Sequence, residues 1–147
     1  MSAALRPASA ADYEQVVRLL RAADLPTAGL QPSLPDFLVA QEGDRIIAAI
    51  GLEVYGDAAL LRSAVVDTSR RGTGLGRDLV SRLFEHARRR GVREVYLLTT
   101  TAERYFRRFG FTRVAREAVA PALRASEEFR GACPDSAVAM RKALEDA

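Results

Sequence analysis

Residues 70–76 read RRGTGLG and lie between two segments of different periodicity. The preceding segment, Ala59–Val66, is apolar and rich in β-forming residues, whereas apolar residues at helical spacing follow from Leu75 to Ala87. The segment Val92–Thr99 is again apolar and β-rich. A strand, a helix and a strand in this order predict a crossover between two parallel strands.

The remaining segments predict further strands around this unit. Tight turns separate Phe37–Gln41, Arg45–Tyr55 and Ala59–Val66, which predicts an antiparallel meander. A first strand and a first helix precede the meander, and two closing strands follow the crossover. Their predicted positions are Leu5–Pro7, Tyr13–Leu20, Phe111–Arg116 and Ala137–Lys142. The order β-α-β-β-β-α-β-α-β-β predicts an α/β fold with a mixed sheet, in one domain over residues 1–147.

Two capping-box patterns mark predicted helix starts. Ser9 is followed three residues later by Asp12, and Thr100 is followed by Glu103. The second of these helices carries aromatic residues on one face and ends at Gly110.

The composition narrows the class of ligand and the compartment. The formal net charge is +3, and the basic residues are spread along the chain, which favours an anionic small molecule over nucleic acid. No apolar run approaches the roughly 20 residues of a membrane-spanning helix, and the N-terminus has no signal-peptide pattern. The single cysteine, Cys133, has no cysteine partner for a disulfide or a metal site. We therefore predict a cytoplasmic protein with no membrane partner, no nucleic-acid partner and no bound metal.

The glycine-rich segment has the chemistry of an anion site. Glycines between a strand and a helix let the backbone approach a ligand and direct several N–H groups at one anion. The helix N-terminus adds partial positive charge, and Arg70 and Arg71 add full charges. The Gly-Lys-Ser/Thr ending of a P-loop is absent, and a Rossmann loop would follow the first strand. A tight turn that serves packing alone is the alternative.

Two motifs resemble the signatures of one enzyme family. Residues 66–76 (VDTSRRGTGLG) resemble motif A of the GNAT acetyltransferases, with Arg71, Gly74 and Gly76 at its core positions. Residues 105–111 (YFRRFGF) resemble the second signature of that family, an aromatic helix that ends in Gly-Phe. The order of the elements matches the family over nearly the whole chain. This resemblance implies a GNAT fold and an N-acetyltransferase that uses acetyl-CoA as its cosubstrate.

The resemblance also implies where acetyl-CoA binds. The strand at 59–66 is expected to diverge from the strand at 92–99, with the pantetheine arm between them. A backbone N–H of the first strand would bind the thioester carbonyl and stabilise the developing oxyanion. The implied contacts are Ala64, Val65 and Val66 along the strand, Arg71, Gly72, Thr73, Gly74, Leu75 and Gly76 around the pyrophosphate, and Thr99 and Phe106.

A narrower resemblance concerns the acceptor. Several segments resemble the small N-acetyltransferases encoded in arsenic-resistance operons, among them residues 97–102 (LLTTTA), Glu128-Phe129 and residues 133–137 (CPDSA). These relatives imply a small amino-acid-like amine as substrate, with arsinothricin and phosphinothricin as candidates. Acetylation of a protein amine and an inactive CoA-binding regulator are the alternative functions, and a homodimer stays open.

Three polar residues in apolar strands are candidates for the chemistry. Glu53 is the candidate general base, acting on the acceptor amine through water; the alternative is a side chain that faces solvent. Arg62 and Ser63 interrupt the next strand and are candidates to bind a substrate carboxylate. The alternative for Arg62 is an ion pair with Glu53 across the hairpin, which would be structural.

The proton donor to the leaving thiolate is less clearly marked. The family usually has a tyrosine at the position of Phe106, and Tyr105 lies one residue earlier, about 100° away around the helix. Tyr105 is the candidate general acid; an aromatic core residue is the alternative. His86, off the apolar stripe of its helix, is expected at the surface.

Overall fold

The computed structural model describes residues 3–133 and 136–144, which form one seven-stranded sheet flanked by helices. The strands are β1 (Ala4–Pro7), β2 (Phe37–Glu42), β3 (Arg45–Tyr55), β4 (Ala58–Val66), β5 (Glu94–Thr99), β6 (Thr112–Val114) and β7 (Val138–Ala143). Their order in the sheet is β1-β2-β3-β4-β5-β7-β6. The β4–β5 pair is parallel and the other neighbouring pairs are antiparallel. The predicted mixed sheet, its meander and its crossover are confirmed.

Helices cover both faces of the sheet. They are α1 (Tyr13–Ala22), α2 (Leu30–Ser33), α3 (Leu75–Arg89) and α4 (Glu103–Arg107). Short 3₁₀ turns lie at Ala10–Asp12, Leu34–Asp36, Thr68–Arg70, Arg116–Ala118 and Pro121–Ala125, and a kinked segment with π-helical hydrogen bonding lies at Glu128–Ala132. None of the helices in the described ranges is long and apolar enough to span a bilayer.

The core divides between the two faces because successive strand residues point in opposite directions. On one face, α3 buries the predicted stripe against the sheet, with Leu79 and Leu83 nearly inaccessible to solvent. On the other face, α1 and α2 pack against residues such as Phe37 and Val39. The 3₁₀ segments that follow β6 cover the same face farther along, through Val119 and Leu123.

The two helix-start predictions had different outcomes. At the first, Asp12 Oδ2 accepts the backbone N–H of Ser9 at 2.8 Å, as a capping box requires. At the second, the predicted capping box of Thr100 and Glu103 is wrong. Thr99 Oγ1 accepts the N–H of Ala102 at 2.9 Å, and the Glu103 side chain instead forms ion pairs with two arginines.

Two other predicted boundaries differ from the structure. The strand predicted over 111–116 is reduced to β6, because the chain turns into a 3₁₀ segment at Arg116. The segment predicted as a loop over 25–36 contains α2 and a 3₁₀ turn.

A bulge in β4 opens the sheet. Ala49 pairs with Val65 and Gly51 pairs with Arg62, so two residues of β4 face one residue of β3. One of the two, Ser63, is buried and has a φ of 60°, a left-handed conformation that costs a non-glycine residue roughly 1–3 kcal/mol. Before the bulge, β4 pairs with β5 from Ala58 to Leu60; beyond it the two strands separate. The predicted divergence of these strands is confirmed.

Candidate active site

The separation of β4 and β5 forms a cleft of about 1370 Å³. The glycine-rich segment lies at one end, and the aromatic face of α4 forms one wall. At the other end the walls are the Ser63 bulge, Pro26 of the α1–α2 loop, and Glu128 with Cys133. Every residue predicted to contact acetyl-CoA lines this cleft: Ala64, Val65, Val66, Arg71, Gly72, Thr73, Gly74, Leu75, Gly76, Thr99 and Phe106.

The glycine-rich segment presents backbone N–H groups to the cleft. Gly72 and Gly74 have φ values of 81° and 84°, which a residue with a side chain rarely adopts. The first hydrogen bond of α3 runs from the N–H of Asp78 to the Gly74 carbonyl, at 3.1 Å. The N–H groups of the residues between them precede that bond and are available to an anion at the positive end of the helix dipole.

Tyr105 and Gly76 approach each other closely at the start of α3. A Cβ added to Gly76 would lie 2.7 Å from the Tyr105 hydroxyl, so a side chain at this position would displace the tyrosine. The Tyr105 ring packs edge-on against Phe106 and Phe109 and keeps 37% of its surface exposed. Burial raises the pKa of Tyr105, although Arg108 and a second arginine nearby act in the opposite direction. The Tyr105 phenol is therefore protonated near neutral pH.

The arginines at this end have different surroundings. Arg71, Arg77 and Arg108 line the cleft, are exposed, and form no ion pair with any residue in the described ranges. Arg70, by contrast, donates from Nε to Glu42 Oε2 at 3.0 Å and forms an ion pair with that carboxylate. Arg70 is thus already neutralised, whereas the other three guanidinium groups can meet phosphate oxygens.

At the opposite end, Arg62 is the centre of a buried polar cluster, and its side chain is 0% exposed. Its Nη1 donates to Glu53 Oε2 at 2.7 Å and to the Ala28 carbonyl at 2.6 Å. Its Nη2 donates to the Pro26 carbonyl at 3.2 Å, and Nε donates to Ser63 Oγ at 3.0 Å. Because these contacts use most of its donors, the geometry favours the structural ion pair over a clamp on a substrate carboxylate.

Glu53 lies behind Arg62 and does not line the cleft. It contributes instead to a smaller pocket of about 490 Å³, together with Tyr55 and Ser126. The Tyr55 hydroxyl donates to Glu53 Oε1 at 2.5 Å. Burial and this hydrogen bond raise the pKa of Tyr55 to about 12. Both carboxylate oxygens of Glu53 therefore have short, strong partners.

Glu128 is the ionisable group at this end that the sequence reasoning did not single out. It is buried, lines the cleft, and places Oε2 3.4 Å from Arg62 Nε. Burial raises the pKa of Glu128 to about 7; Glu53 adds to this effect and Arg62 opposes it. Cys133 Sγ lies 3.6 Å from Glu128 Oε1, and burial raises the pKa of this thiol to about 12. The thiol is thus protonated near neutral pH and is a poor nucleophile.

His86 lies outside the cleft and is less exposed than expected. Its Nε2 is 2.8 Å from Asp36 Oδ1, and Arg90 Nε approaches the same oxygen at 2.8 Å. Burial alone would raise the pKa of Asp36, but the hydrogen bonds from Arg90 and His86 outweigh it and lower the pKa. This group joins α3 to the segment before β2.

A family model described as the acetyltransferase (GNAT) domain matches residues 34–113, which is more than half of the chain. The chain belongs to the GNAT acetyltransferase family. The match includes the glycine-rich segment, the bulge in β4 and the aromatic helix. The fold and the enzyme class that the two sequence motifs implied, a GNAT N-acetyltransferase, are confirmed.

Individual GNAT relatives agree with this assignment. An amino-acid acetyltransferase of Mycobacterium tuberculosis is 30% identical over 125 residues, which cover 70% of this chain and 71% of the relative. N-acetylglutamate synthase from Neisseria gonorrhoeae, solved with coenzyme A and N-acetyl-glutamate, superposes with a TM-score of 0.84 at 15% identity. That match covers 99% of this chain and 36% of the synthase, so the chain spans about a third of it.

The second solved structure is of a protein with nearly the same length as this chain. It is a Mycobacterium tuberculosis protein solved in complex with CoA, with a TM-score of 0.78 and 22% identity. The match covers 97% of this chain and 99% of that protein. At such low identity the two structural matches establish a shared fold.

Proposed function

We propose that this GNAT protein transfers the acetyl group of acetyl-CoA directly to the amine of a small, amino-acid-like substrate. The observation that carries the proposal is the arrangement of a single cleft. At one end lie backbone N–H groups and guanidinium groups that have no ion-pair partner in the described part of the chain, and at the other end lies a buried carboxylate. The first end suits the phosphates of acetyl-CoA, and the second suits an ammonium group.

The geometry between the two ends supports direct transfer. The β4 residues from Ala64 of the bulge to Val66 have separated from β5, so the pantetheine arm fits between the strands and meets the free edge of β4. A backbone N–H of this edge would then bind the thioester carbonyl and stabilise negative charge as the amine attacks. Phe106 and Thr99 lie on the opposite wall, where they would contact the same arm.

Several features support a small acceptor. The carbonyls of Pro26 and Ala28 are fixed by Arg62, which holds the α1–α2 loop against the acceptor end of the cleft. A loop in this position limits the room for an extended peptide. The named relatives include an amino-acid acetyltransferase and a synthase bound to N-acetyl-glutamate. Organoarsenical and phosphinic analogues of glutamate, namely arsinothricin and phosphinothricin, are the acceptors that we propose to examine first.

The test is an assay of thiol release from acetyl-CoA with a panel of single amino acids, the two glutamate analogues and unstructured peptides. We expect turnover with at least one amino acid or analogue, and slower turnover with every peptide. Tight CoA binding without turnover of any amine would instead identify a CoA-binding regulator. Turnover confined to peptides would identify a protein acetyltransferase.

A further inference from the structure

We propose that Glu128, rather than Glu53, accepts the proton of the acceptor amine. The inference rests on the proposed acetyl transfer and assigns its base. Glu128 begins the kinked segment Glu128–Ala132, and its carboxylate lines the cleft beside the Ser63 bulge. Glu53 lies on the far side of Arg62 and lines the smaller pocket instead. An amine positioned to attack a thioester on the β4 edge therefore meets Glu128 first.

The hydrogen bonds of the two carboxylates separate their roles. Glu53 receives Tyr55 Oη at 2.5 Å and Arg62 Nη1 at 2.7 Å, and both partners are fixed by the sheet. Glu128 has longer contacts, at 3.4 Å to Arg62 Nε and 3.6 Å to Cys133 Sγ. The hydrogen on Arg62 Nε is directed at Ser63 Oγ. A carboxylate accepts about four hydrogen bonds, so Glu128 retains capacity for a ligand donor.

The charges around Glu128 favour a cationic ligand. Arg62 approaches from β4, Glu53 lies behind it on β3, and Cys133 belongs to the same segment as Glu128. Arg116, on the 3₁₀ turn after β6, acts on Cys133 and donates to the Ala137 carbonyl. One buried guanidinium therefore serves two buried carboxylates. An ammonium group beside Glu128 supplies the second positive charge, and transfer of its proton leaves a neutral amine.

The proposed step balances in protons and bonds. Glu128 takes one proton from R–NH₃⁺, and the nitrogen lone pair then attacks the thioester carbonyl carbon. The C–N bond forms as the C–S bond breaks, and the second nitrogen-bound proton passes to the departing thiolate. Glu128 returns its proton to solvent. The products are R–NH–acetyl, CoA–SH and one H⁺.

The decisive experiment compares Glu128→Gln with the wild type across pH, using the best acceptor from the amine panel. In the wild type we expect kcat/KM to rise through about pH 7 as Glu128 ionises. In Glu128→Gln we expect this rise to disappear and kcat/KM to fall on the order of 100-fold or more. The Kd for CoA, measured by calorimetry, should stay within about threefold, because the phosphate end is unchanged.

Two further variants separate the base from its neighbours. Glu127→Gln changes the adjacent, exposed carboxylate, which lines the smaller pocket, and should keep the wild-type rate and pH profile. Glu53→Gln should keep the rise through about pH 7 even if its rate is reduced. If Glu128→Gln does not fold, Glu128→Asp replaces it, and it should keep the pH rise with a rate roughly tenfold lower.

The outcomes distinguish two failures. In the first, the wild type turns over acceptors, but Glu128→Gln (or its substitute Glu128→Asp) keeps both the wild-type rate and the wild-type pH profile. That result overturns the assignment of Glu128 and leaves the proposed function intact. Loss of the pH rise in Glu53→Gln, with its retention in Glu128→Gln, also overturns it in favour of Glu53. If the wild type binds CoA and turns over no amine, the proposed function itself fails, and the assignment fails with it.

Discussion

Arg62 Nη1 lies 2.7 Å from Glu53 Oε2, and the Arg62 side chain is fully buried. This ion pair joins β4 to β3. The hydrogen bonds from Arg62 to the Pro26 and Ala28 carbonyls join the same point to the α1–α2 loop. Gly29 packs beside them, since a Cβ there would lie 3.4 Å from Arg62 Nη1. Arg62 thus fixes the loop that borders the acceptor end of the cleft.

Removal of this guanidinium should cost stability. We expect Arg62→Ala to lower the free energy of unfolding by about 3–5 kcal/mol, because two buried carboxylates lose their cation. The matched control is Arg45→Ala, which removes an exposed ion pair with Asp67 and should cost less than about 1 kcal/mol. Urea denaturation measures both. Unchanged stability with a raised KM for a carboxylate-bearing acceptor would instead make Arg62 a substrate clamp.

A carboxylate at Gly74 should prevent binding of the cosubstrate. Gly74→Asp places a negative charge at the start of α3, where we expect the phosphates, and repulsion should raise the Kd for CoA on the order of 100-fold. Gly43→Asp provides the control, because Gly43 also has a positive φ and has open space around its Cβ position. Calorimetry with CoA compares the two variants. Equal affinities would place the phosphates elsewhere.

The Tyr105 hydroxyl lies beside Gly76, where we expect the cosubstrate to bind. We expect Tyr105→Phe to raise the KM for acetyl-CoA by roughly 3–10-fold, as for one lost hydrogen bond, and to leave kcat within about threefold. Steady-state kinetics decide this, with Tyr13→Phe on α1 as a control outside the cleft. A kcat reduced about 100-fold at constant KM would assign Tyr105 the general-acid role that the sequence predicted.

Asp12 should make stability depend on acid pH. Two hydrogen bonds from Arg6, both of 2.8 Å, lower the pKa of Asp12 from 3.8 to about 2. Ionised Asp12 therefore stabilises the folded protein fully at pH values above its pKa in the unfolded chain. This stabilisation is lost as the pH falls through the pKa of Asp12 in the folded protein. We expect Asp12→Asn to cost about 2 kcal/mol at neutral pH and less than about 0.5 kcal/mol near pH 2. Urea titrations at both pH values test this.

A control for the Asp12 variant is Asp44→Asn, in the exposed turn after β2. It should change stability by less than about 0.5 kcal/mol at either pH. A constant difference between Asp12→Asn and the wild type from neutral to acid pH would show that the Arg6 contact does not act through ionisation.

Much of the sheet and its glycine-rich segment could be predicted because their signals are local. The continuous apolar run of β3, which is buried on both faces, and the spacing of Leu79 and Leu83 in α3 follow from which faces of each element are buried. Gly72 and Gly74 have the positive φ values that glycine is suited to adopt. Each of these features depends on residues within a few positions of one another.

Many of the polar side-chain contacts, by contrast, join residues that are distant in sequence. Glu128 reaches Arg62 from an irregular segment, and His86 reaches Asp36 across 50 positions of the chain. Glu103 matched a capping box in sequence but is paired with Arg107 and Arg113. Arg107 follows Glu103 at the i, i+4 spacing of a helix, but no periodicity specifies the other partners. The local sequence around Glu128 shows an acidic residue beside an apolar one, Glu128-Phe129. This pattern is common at protein surfaces and does not by itself mark a buried carboxylate.

The position of β7 between β5 and β6 determines when the sheet can be completed during synthesis. During synthesis from the N-terminus, β6 leaves the ribosome before β7, the strand with which it pairs. The outer edge of β5 is likewise uncovered until Val138–Ala143 arrives. The aromatic helix between β5 and β6 is therefore synthesised before the sheet beneath it is complete. We expect the cleft to acquire affinity for CoA late in folding, and a nascent chain ending before residue 138 to lack it.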